Sequence, residues 1–224
     1  MNPWQLLDRV LTPDGTSEMT LHRRGEEFSI RIGYAELMNS RQHYSEEAMA
    51  ELACAHLATA PTPRVLIGGL GMGFTVAATN AVLPASAHID VAELLPAVVR
   101  WNRAELGECA GRPLDDERVR VHEGDVCALL AASVGIYDAI MLDVDNGPEG
   151  LTQPSNRWLY DSSGLASIKR ALRPAGVLSV WSAHDDSAFT TRLGRAGFTP
   201  TAHRVRSRKS GKGSRHTVWV ATLG

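Results

Sequence analysis

The sequence lacks the features that mark secreted, membrane-spanning and strongly charged proteins. Its three cysteines are an odd number without a C-x-x-C spacing, which predicts the reduced thiols of a cytoplasmic protein rather than disulfides. No apolar run approaches the about 18 residues that a membrane-spanning helix requires, and Asp8 and Arg9 come too early for a secretory leader. With 23 basic and 25 acidic residues, neither sign of charge dominates, which argues against nucleic acid and membrane surfaces as partners.

Signatures of metal and acyl-transfer chemistry are also missing. The eight histidines form no pair at the spacing of metal ligands, so no metal is expected. Neither a G-x-S-x-G motif nor a Cys/His signature indicates acyl chemistry. Seven basic residues cluster between Arg204 and His216, but no aromatic residues are interleaved with them. We therefore interpret this run as a solvated hairpin rather than a nucleic-acid contact.

The order of apolar segments predicts an α/β domain over residues 63–224. Short apolar runs alternate with helical segments there, which is typical of a mostly parallel sheet with helices on both faces. The last two strands, 201–205 and 216–221, have no helix between them and are expected to be antiparallel to each other. We predict a Rossmann-like sheet of seven strands, mostly parallel, with the last strand antiparallel.

Residues 1–62 predict a small cap that precedes this domain. Apolar residues alternate over 28–32, which is the period of a half-buried strand, and the segment is hairpin-like. A helix follows, for which Ser45 is the expected N-cap because two acidic residues come directly after it. The cap is therefore predicted to be a hairpin and one helix, ending at the prolines near residue 62.

A glycine-rich turn follows the first strand of the α/β pattern. Gly69, Gly71 and Gly73 lie between the apolar run 64–67 and a helical segment, where side chains would keep a ligand away from the backbone. The spacing departs from the dinucleotide motif G-x-G-x-x-G because Phe74 stands at the last position. This favours a mononucleoside ligand over NAD or FAD. A tight turn without a ligand is the alternative.

Acidic residues follow the next two strands. Glu93 lies 20 residues after Gly73, at the end of the second strand, where a carboxylate can accept hydrogen bonds from both hydroxyls of a ribose. Asp125 follows the third strand and can accept a hydrogen bond from the exocyclic amine of an adenine. Val126 offers an apolar contact to the adenine ring. Asp125 is equally suited to be a helix N-cap, and both roles can hold together.

Together these segments resemble the S-adenosylmethionine-dependent methyltransferase superfamily and, within it, the spermidine synthase branch. The resemblance covers about residues 28–185. Val65–Gly69 resembles the branch's first glycine-rich loop, and Val91–Pro96 resembles its V-E-I-D-P segment. Residues 137–148 resemble its active-site strand and loop. Tyr44-Ser45-Glu46 stands where the branch carries Tyr-His-Glu.

The resemblance implies a transferase with S-adenosylmethionine, or its decarboxylated form, as co-substrate and a small amine as acceptor. Asp143 would hold the amine and accept its proton, with Asp145 as a supporting contact; the alternative for Asp145 is a turn, which Asp-Asn-Gly-Pro favours. The residues expected to bind the donor are Gly69, Gly71, Gly73, Glu93, Asp125 and Val126, and those expected to line the acceptor pocket are Tyr44, Trp158 and Tyr160.

The chain also departs from the branch in its acidic residues. The branch carries an Asp in the glycine loop, where this chain has Leu70, Gly71 and Met72, and its second acid after the ribose-binding Glu is Leu95 here. The active-site loop is two residues shorter. Because these missing acids would hold a diamine, methyl transfer is favoured over aminopropyl transfer. Aminopropyl transfer is the first alternative, and a non-catalytic nucleoside-binding protein is the second. The resemblance also implies a homodimer.

Overall fold

A computed structural model describes residues 2–12, 15–144 and 157–224. Its strands are β1 (Gln5–Leu11), β2 (Glu18–Arg24), β3 (Glu27–Ile32), β4 (Ala35–Asn39), β5 (Arg64–Gly68), β6 (His88–Glu93), β7 (Val119–Glu123), β8 (Tyr137–Leu142), β9 (Leu172–Ser182), β10 (Phe198–Arg206) and β11 (Arg215–Leu223). Its α-helices are α1 (Tyr44–Cys54), α2 (Phe74–Val82), α3 (Pro96–Arg103), α4 (Val126–Ala132), α5 (Arg157–Tyr160), α6 (Ser162–Ala171) and α7 (Ser187–Arg195). The strands form two separate sheets.

The larger sheet has seven strands in the order β10-β11-β9-β8-β5-β6-β7. Strands β5 to β9 are parallel, and β11 lies antiparallel between β9 and β10. The predicted seven-stranded α/β fold, with its last strand antiparallel, is confirmed. The final hairpin is longer than the sequence indicated, because pairing continues from Phe198 opposite Leu223 to Arg206 opposite Arg215.

The central strand β5 shows why this segment forms a buried parallel strand. Val65, Leu66 and Ile67 are completely buried, since helices cover both faces of the sheet. Val65 and Ile67 belong to a hydrophobic cluster that includes α1, α2 and α3, whereas Leu66 belongs to a second cluster that includes α4 and α6. The alternation of side chains along one strand therefore divides the core into two layers.

The second sheet has four strands, whereas the sequence predicted only a hairpin in the cap. It consists of β1, β2, β3 and β4, each antiparallel to the next. Met19, Leu21, Phe28 and Ile30 are buried, and they join the hydrophobic cluster that contains β5. Strands β1 and β4 have no fully buried residue, so the alternation of apolar residues did not predict them.

Helix α1 packs against α2 and the large sheet, so that the cap reaches over the ends of the parallel strands. The helix begins at Tyr44 after His43, and no side chain caps its first turn. The prediction of Ser45 as the N-cap is therefore wrong: Ser45 lies within the helix and is completely buried. Within the described part of the chain, no helix is both long and apolar enough to cross a membrane.

Candidate active site

Two cavities meet at the edge where the parallel strands end. The strand-end cavity lies beyond β5, β6, β7 and β8, and the predicted donor-binding residues that line it are Gly69, Gly71, Glu93, Asp125 and Val126. The cap cavity lies between the cap and the same edge, and its polar lining includes Glu36, Gln42, Glu46, Thr75 and His216. Asp143 lines both cavities and is the one titratable residue common to their described linings.

The glycine loop is shaped by close contact with the end of β8. Gly69 has φ +92°, and a Cβ atom there would overlap the main-chain oxygen of Asp143. The loop and the strand end are also joined by a hydrogen bond from the Asp143 N–H to the Gly68 carbonyl oxygen, 2.8 Å long. Gly73 has φ +84°, and a Cβ there would lie 2.9 Å from both Asn102 Oδ1 and Pro113 Cγ. Glycine is therefore required at both positions by conformation and by space.

Glu93 is buried at the end of β6, and its carboxyl group is fixed from two sides. Oε2 accepts a hydrogen bond from the Leu70 N–H at 2.9 Å, and Oε1 accepts one from the Leu95 N–H at 2.8 Å. Burial raises the pKa of Glu93, and these main-chain donors oppose the shift. The main-chain N–H groups of Gly71 and Leu94 act on the same carboxylate, which lines the strand-end cavity.

Asp125 is a helix N-cap, which is one of the two roles that the sequence left open for it. Its Oδ1 accepts a hydrogen bond from the Cys127 N–H at 2.8 Å, which makes it the N-cap of α4. The same residue lines the strand-end cavity beside Val126, which is buried. Gly68 packs against Val126, because a Cβ at that glycine would lie 3.0 Å from Val126 Cγ2.

Asp143 follows directly after β8 and is partly buried between the two cavities. Its Oδ2 accepts a hydrogen bond from Thr75 Oγ1 at 2.6 Å. Burial raises the pKa of Asp143 to about 6, and the hydrogen bond from Thr75 opposes this shift. The carboxyl group therefore changes charge close to neutral pH, which suits a group that takes up a proton during a reaction.

The cap supplies acids that the sequence comparison did not identify as site residues. Glu36 of β4 and Glu46 of α1 line the cap cavity together with Asp143. Burial and, after it, the charge of Asp143 raise the pKa of Glu46 to about 8, and the hydrogen bond from Ser45 opposes this shift. Among the described residues that line this cavity there is no Lys or Arg. Carboxyl groups therefore dominate the charged part of the described lining.

The three residues expected to line the acceptor pocket lie elsewhere. Tyr44 faces the final hairpin, where its N–H donates to the Ser207 carbonyl oxygen at 3.1 Å. Tyr160 is buried in the second hydrophobic cluster, and Trp158 packs against that cluster. The structure brings none of them to the described lining of the cap cavity, because α1 turns Glu46 rather than Tyr44 towards it. Asp145 lies outside the described residues.

The sequence held a signal for some of the missed residues. Glu46 belongs to the Tyr-Ser-Glu segment that carries part of the family resemblance, two residues after Tyr44. His216 was counted with the basic run of the final hairpin, but its ring lines the cap cavity and contacts Trp181 edge-on, with ring centroids 4.7 Å apart. No pattern in the sequence indicated that Glu36 would reach the same cavity.

Comparison with known families and sequences gives a consistent result. A family model described as the spermine/spermidine synthase domain matches residues 43–191. Putrescine N-methyltransferase 4 of Nicotiana tabacum is 33% identical to this chain over 132 residues, which is 56% of the chain. Putrescine N-methyltransferase 1 of Nicotiana attenuata is also 33% identical over 132 residues. The chain matches about a third of the length of these curated relatives.

Solved structures share the fold at low sequence identity. A spermidine synthase in complex with the transition-state analogue AdoDATO aligns with a TM-score of 0.75 and 16% identity, covering 98% of this chain and 72% of that one. The spermidine synthase of Thermotoga maritima aligns with a TM-score of 0.75, 15% identity and the same coverage. The O-methyltransferase TomG of Streptomyces achromogenes, in complex with SAM, aligns with a TM-score of 0.57 and 18% identity over 81% of this chain and 80% of that one.

Proposed function

The chain belongs to the spermine/spermidine synthase domain family, and from this membership we propose that it is a transferase that binds S-adenosylmethionine and methylates an amine. One observation carries the proposal: Asp143 lies in the wall between the strand-end cavity and the cap cavity. A carboxylate in that position can act on an acceptor in one cavity while the donor occupies the other. We propose the strand-end cavity for the donor and the cap cavity for the acceptor.

The strand-end cavity has the polar groups that an adenosine requires. The carboxylate of Glu93, which main-chain N–H groups hold at the lining of this cavity, suits the two ribose hydroxyls as a hydrogen-bond acceptor. Asp125 suits the adenine amine, and Val126 suits the face of the ring. Gly69 and Gly71 line this cavity and let the backbone approach the donor without side chains between them. Gly73 lies outside the described lining, where it packs against Asn102 and Pro113.

The cap cavity suits a protonated amine. Its carboxyl groups come from Glu36, Glu46 and Asp143, and the described lining has no basic side chain except His216. Glu36 and Glu46 come from the cap, whereas the acids that this chain lacks relative to its branch belong to the α/β domain. Glu46 stands where the branch also carries a Glu, so Glu36 is the residue that can offset the missing acids. Diamines such as putrescine, the substrate in the names of the curated relatives, are the first acceptors to test.

The proposed reaction is a displacement at carbon. The acceptor enters as an ammonium ion and must lose a proton before its lone pair can attack. The nitrogen then forms a bond to the carbon attached to the donor sulfur, the carbon–sulfur bond breaks, and its electron pair stays on sulfur to give a neutral thioether. The chain contributes an orienting carboxylate and a proton acceptor, and we assign both roles to Asp143.

We expect S-adenosylmethionine to be the better donor, with decarboxylated S-adenosylmethionine as the alternative. Leu70 and Met72 are buried where the branch has an acid in its glycine loop, so the loop offers no charge to an aminopropyl ammonium group. Titration calorimetry with each donor, and mass spectrometry of a panel of amines incubated with each, distinguish the two reactions. Tight binding and turnover of the decarboxylated donor alone would reverse this order.

Replacement of Glu93 by Ala is expected to weaken donor binding by about 1–3 kcal/mol, because the ribose hydroxyls lose a charged acceptor. The measurement is the dissociation constant by calorimetry. Glu123→Ala is the matched control, since Glu123 ends the adjacent strand in register with Glu93 but is exposed and outside the described lining of the cavity. Equal affinities of the two variants would contradict the ribose assignment.

The remaining parts of the proposal concern the whole protein. We propose that residues 1–62 act as the cap and residues 63–224 as the catalytic domain, although α1 packs on the large sheet. We propose that Asp145 supports the acceptor, that the protein acts in the cytoplasm, and that it pairs as a homodimer. Among the described residues, no cluster of His, Cys, Asp and Glu side chains is suited to hold a metal ion.

A further inference from the structure

A row of three hydrogen-bonded polar side chains borders the cap cavity. Ser45 is completely buried in α1, and its hydroxyl oxygen lies 2.5 Å from Glu46 Oε2 and 2.8 Å from His216 Nδ1. Glu46 and His216 both line the cap cavity, with Asp143 in the same lining. The row therefore connects Glu46 of α1, through the buried hydroxyl of Ser45, to His216 of β11. Both of its ends line the proposed acceptor site.

A serine in this position can pass a proton in either direction. Its hydroxyl group has one donor hydrogen and two acceptor positions, and a histidine nitrogen can donate or accept. When Glu46 carries a proton, it can donate to Ser45 while Ser45 donates to His216 Nδ1. When His216 Nδ1 carries the proton, the direction of both hydrogen bonds reverses. A proton can thus move from one end to the other while the heavy atoms stay in place.

Burial and nearby charges shift the pKa values of the two end groups of this row in opposite directions. Burial, Asp143 at the end of β8 and Glu47 on α1 all favour the protonated form of Glu46 by raising its pKa. Burial and the neighbouring His184 lower the pKa of His216, which keeps its ring able to accept a proton. His216 is only partly buried, so its ring can exchange that proton with solvent.

We propose that Glu46, Ser45 and His216 form a relay that removes the proton lost by the acceptor amine. This inference rests on the proposed function. The amine N–H bond breaks and its proton enters the Asp143–Glu46 pair, a proton passes from Glu46 through Ser45 to His216, and His216 releases one to solvent. The lone pair left on nitrogen then attacks the donor carbon, and the electron pair of the broken carbon–sulfur bond stays on sulfur.

The test is the pH dependence of kcat and kcat/KM for the wild-type protein and for the variants Ser45→Ala and Glu46→Gln. The substrates are S-adenosylmethionine and putrescine, or the donor and amine that the mass-spectrometric screen identifies. We expect both variants to lose roughly 10–100-fold in kcat near pH 7, less than the removal of a direct base causes. The loss should shrink as the pH rises, because more of the amine then arrives already deprotonated. The donor Kd should stay unchanged, since neither residue is in the described lining of the strand-end cavity.

Two matched controls separate the relay from a structural effect. Ser133→Ala also removes a buried hydroxyl, one that donates to the Leu129 carbonyl oxygen in α4. Glu51→Gln changes an exposed carboxylate on α1. Both controls should keep the wild-type pH profile. A loss in Ser45→Ala that is equal at every pH would mean a structural role for Ser45 and would overturn the relay.

A measurement without substrate tests the state of Glu46 independently. Its pKa in the folded protein lies above the usual value of 4.5, so its contribution to stability is present below about pH 4.5 and is lost as the pH rises towards 8. Glu46→Gln should therefore reduce the fall in Tm over this interval by roughly 10 °C. An identical fall in both proteins would overturn the relay.

The relay and the proposed function fail in different ways. A wild-type protein that transfers a group from neither donor to any amine overturns the proposed function and the relay with it. Wild-type turnover, combined with unchanged pH profiles in Ser45→Ala and Glu46→Gln, overturns the relay alone.

Discussion

Replacement of Asp143 by Asn is expected to lower kcat by about 10²–10⁴-fold and to leave the donor Kd within a few-fold of the wild-type value. The amide has nearly the same shape as the carboxyl group, and its oxygen can still accept the hydrogen bond that Thr75 Oγ1 donates at 2.6 Å. It cannot, however, accept a proton from an ammonium ion or balance its charge. The geometry of the wall between the cavities should survive, while its chemistry is lost.

The measurement is steady-state turnover by mass spectrometry, together with donor binding by calorimetry. Asp185→Asn is the control, because Asp185 is a partly exposed carboxylate paired with Arg204 at 2.9 Å and lies outside the described lining of both cavities. If the Asp143→Asn variant keeps wild-type turnover and affinity, the role assigned to Asp143 is wrong. A wild-type protein that binds the donor but transfers nothing would instead favour the non-catalytic alternative.

The α/β domain could be predicted from the sequence because burial on both faces leaves a strong local pattern. The residues of β5 are apolar without interruption after Arg64, and glycines follow at once, so the strand and the turn are both visible in a few residues. The cap could be predicted only in part. Strands β1 and β4 pair on one side only, and neither has a fully buried residue, so they carry little of the apolar alternation that identifies a strand.

Site residues at strand ends could be predicted from the sequence more readily than site residues that the cap brings to the same edge. Glu93 and Asp125 were identified because the end of a strand is a position that the chain itself marks. Glu36 reaches the cap cavity through the packing of the cap on the sheet, which no short segment encodes. Glu46 belongs to the Tyr-Ser-Glu segment of the resemblance, but that segment alone does not tell which of its side chains faces the cavity.

The aromatic residues show another limit of the sequence. An aromatic face suits a cation, which favours Trp158 and Tyr160 for an acceptor pocket, but both pack with the second hydrophobic cluster, where Tyr160 meets Phe189 edge-on at 5.7 Å. Residue type alone does not separate a wall of a pocket from part of a core. The orientation of Ser45 shows the same limit, since an expected helix cap turns out to connect Glu46 with His216.

Replacement of Gly69 by Ala is expected to destabilise the protein by about 3 kcal/mol or more. The φ angle of +92° is unfavourable for any residue with a Cβ, and the new atom would overlap the main-chain oxygen of Asp143. For a chain of this length, a change of that size corresponds to a fall in Tm of roughly 6–12 °C. Thermal unfolding followed by circular dichroism measures it.

Gly135→Ala separates the two causes. Gly135 precedes β8 and also has a positive φ, +58°, but no atom lies within 4 Å of its added Cβ, so only the conformational cost of about 1–2 kcal/mol applies. Equal falls in Tm for the two variants would mean that the contact between Gly69 and the end of β8 contributes nothing. Because that contact also places Asp143 beside the glycine loop, the Gly69→Ala variant should lose donor affinity and turnover even at temperatures where it remains folded, whereas the Gly135→Ala variant should keep both.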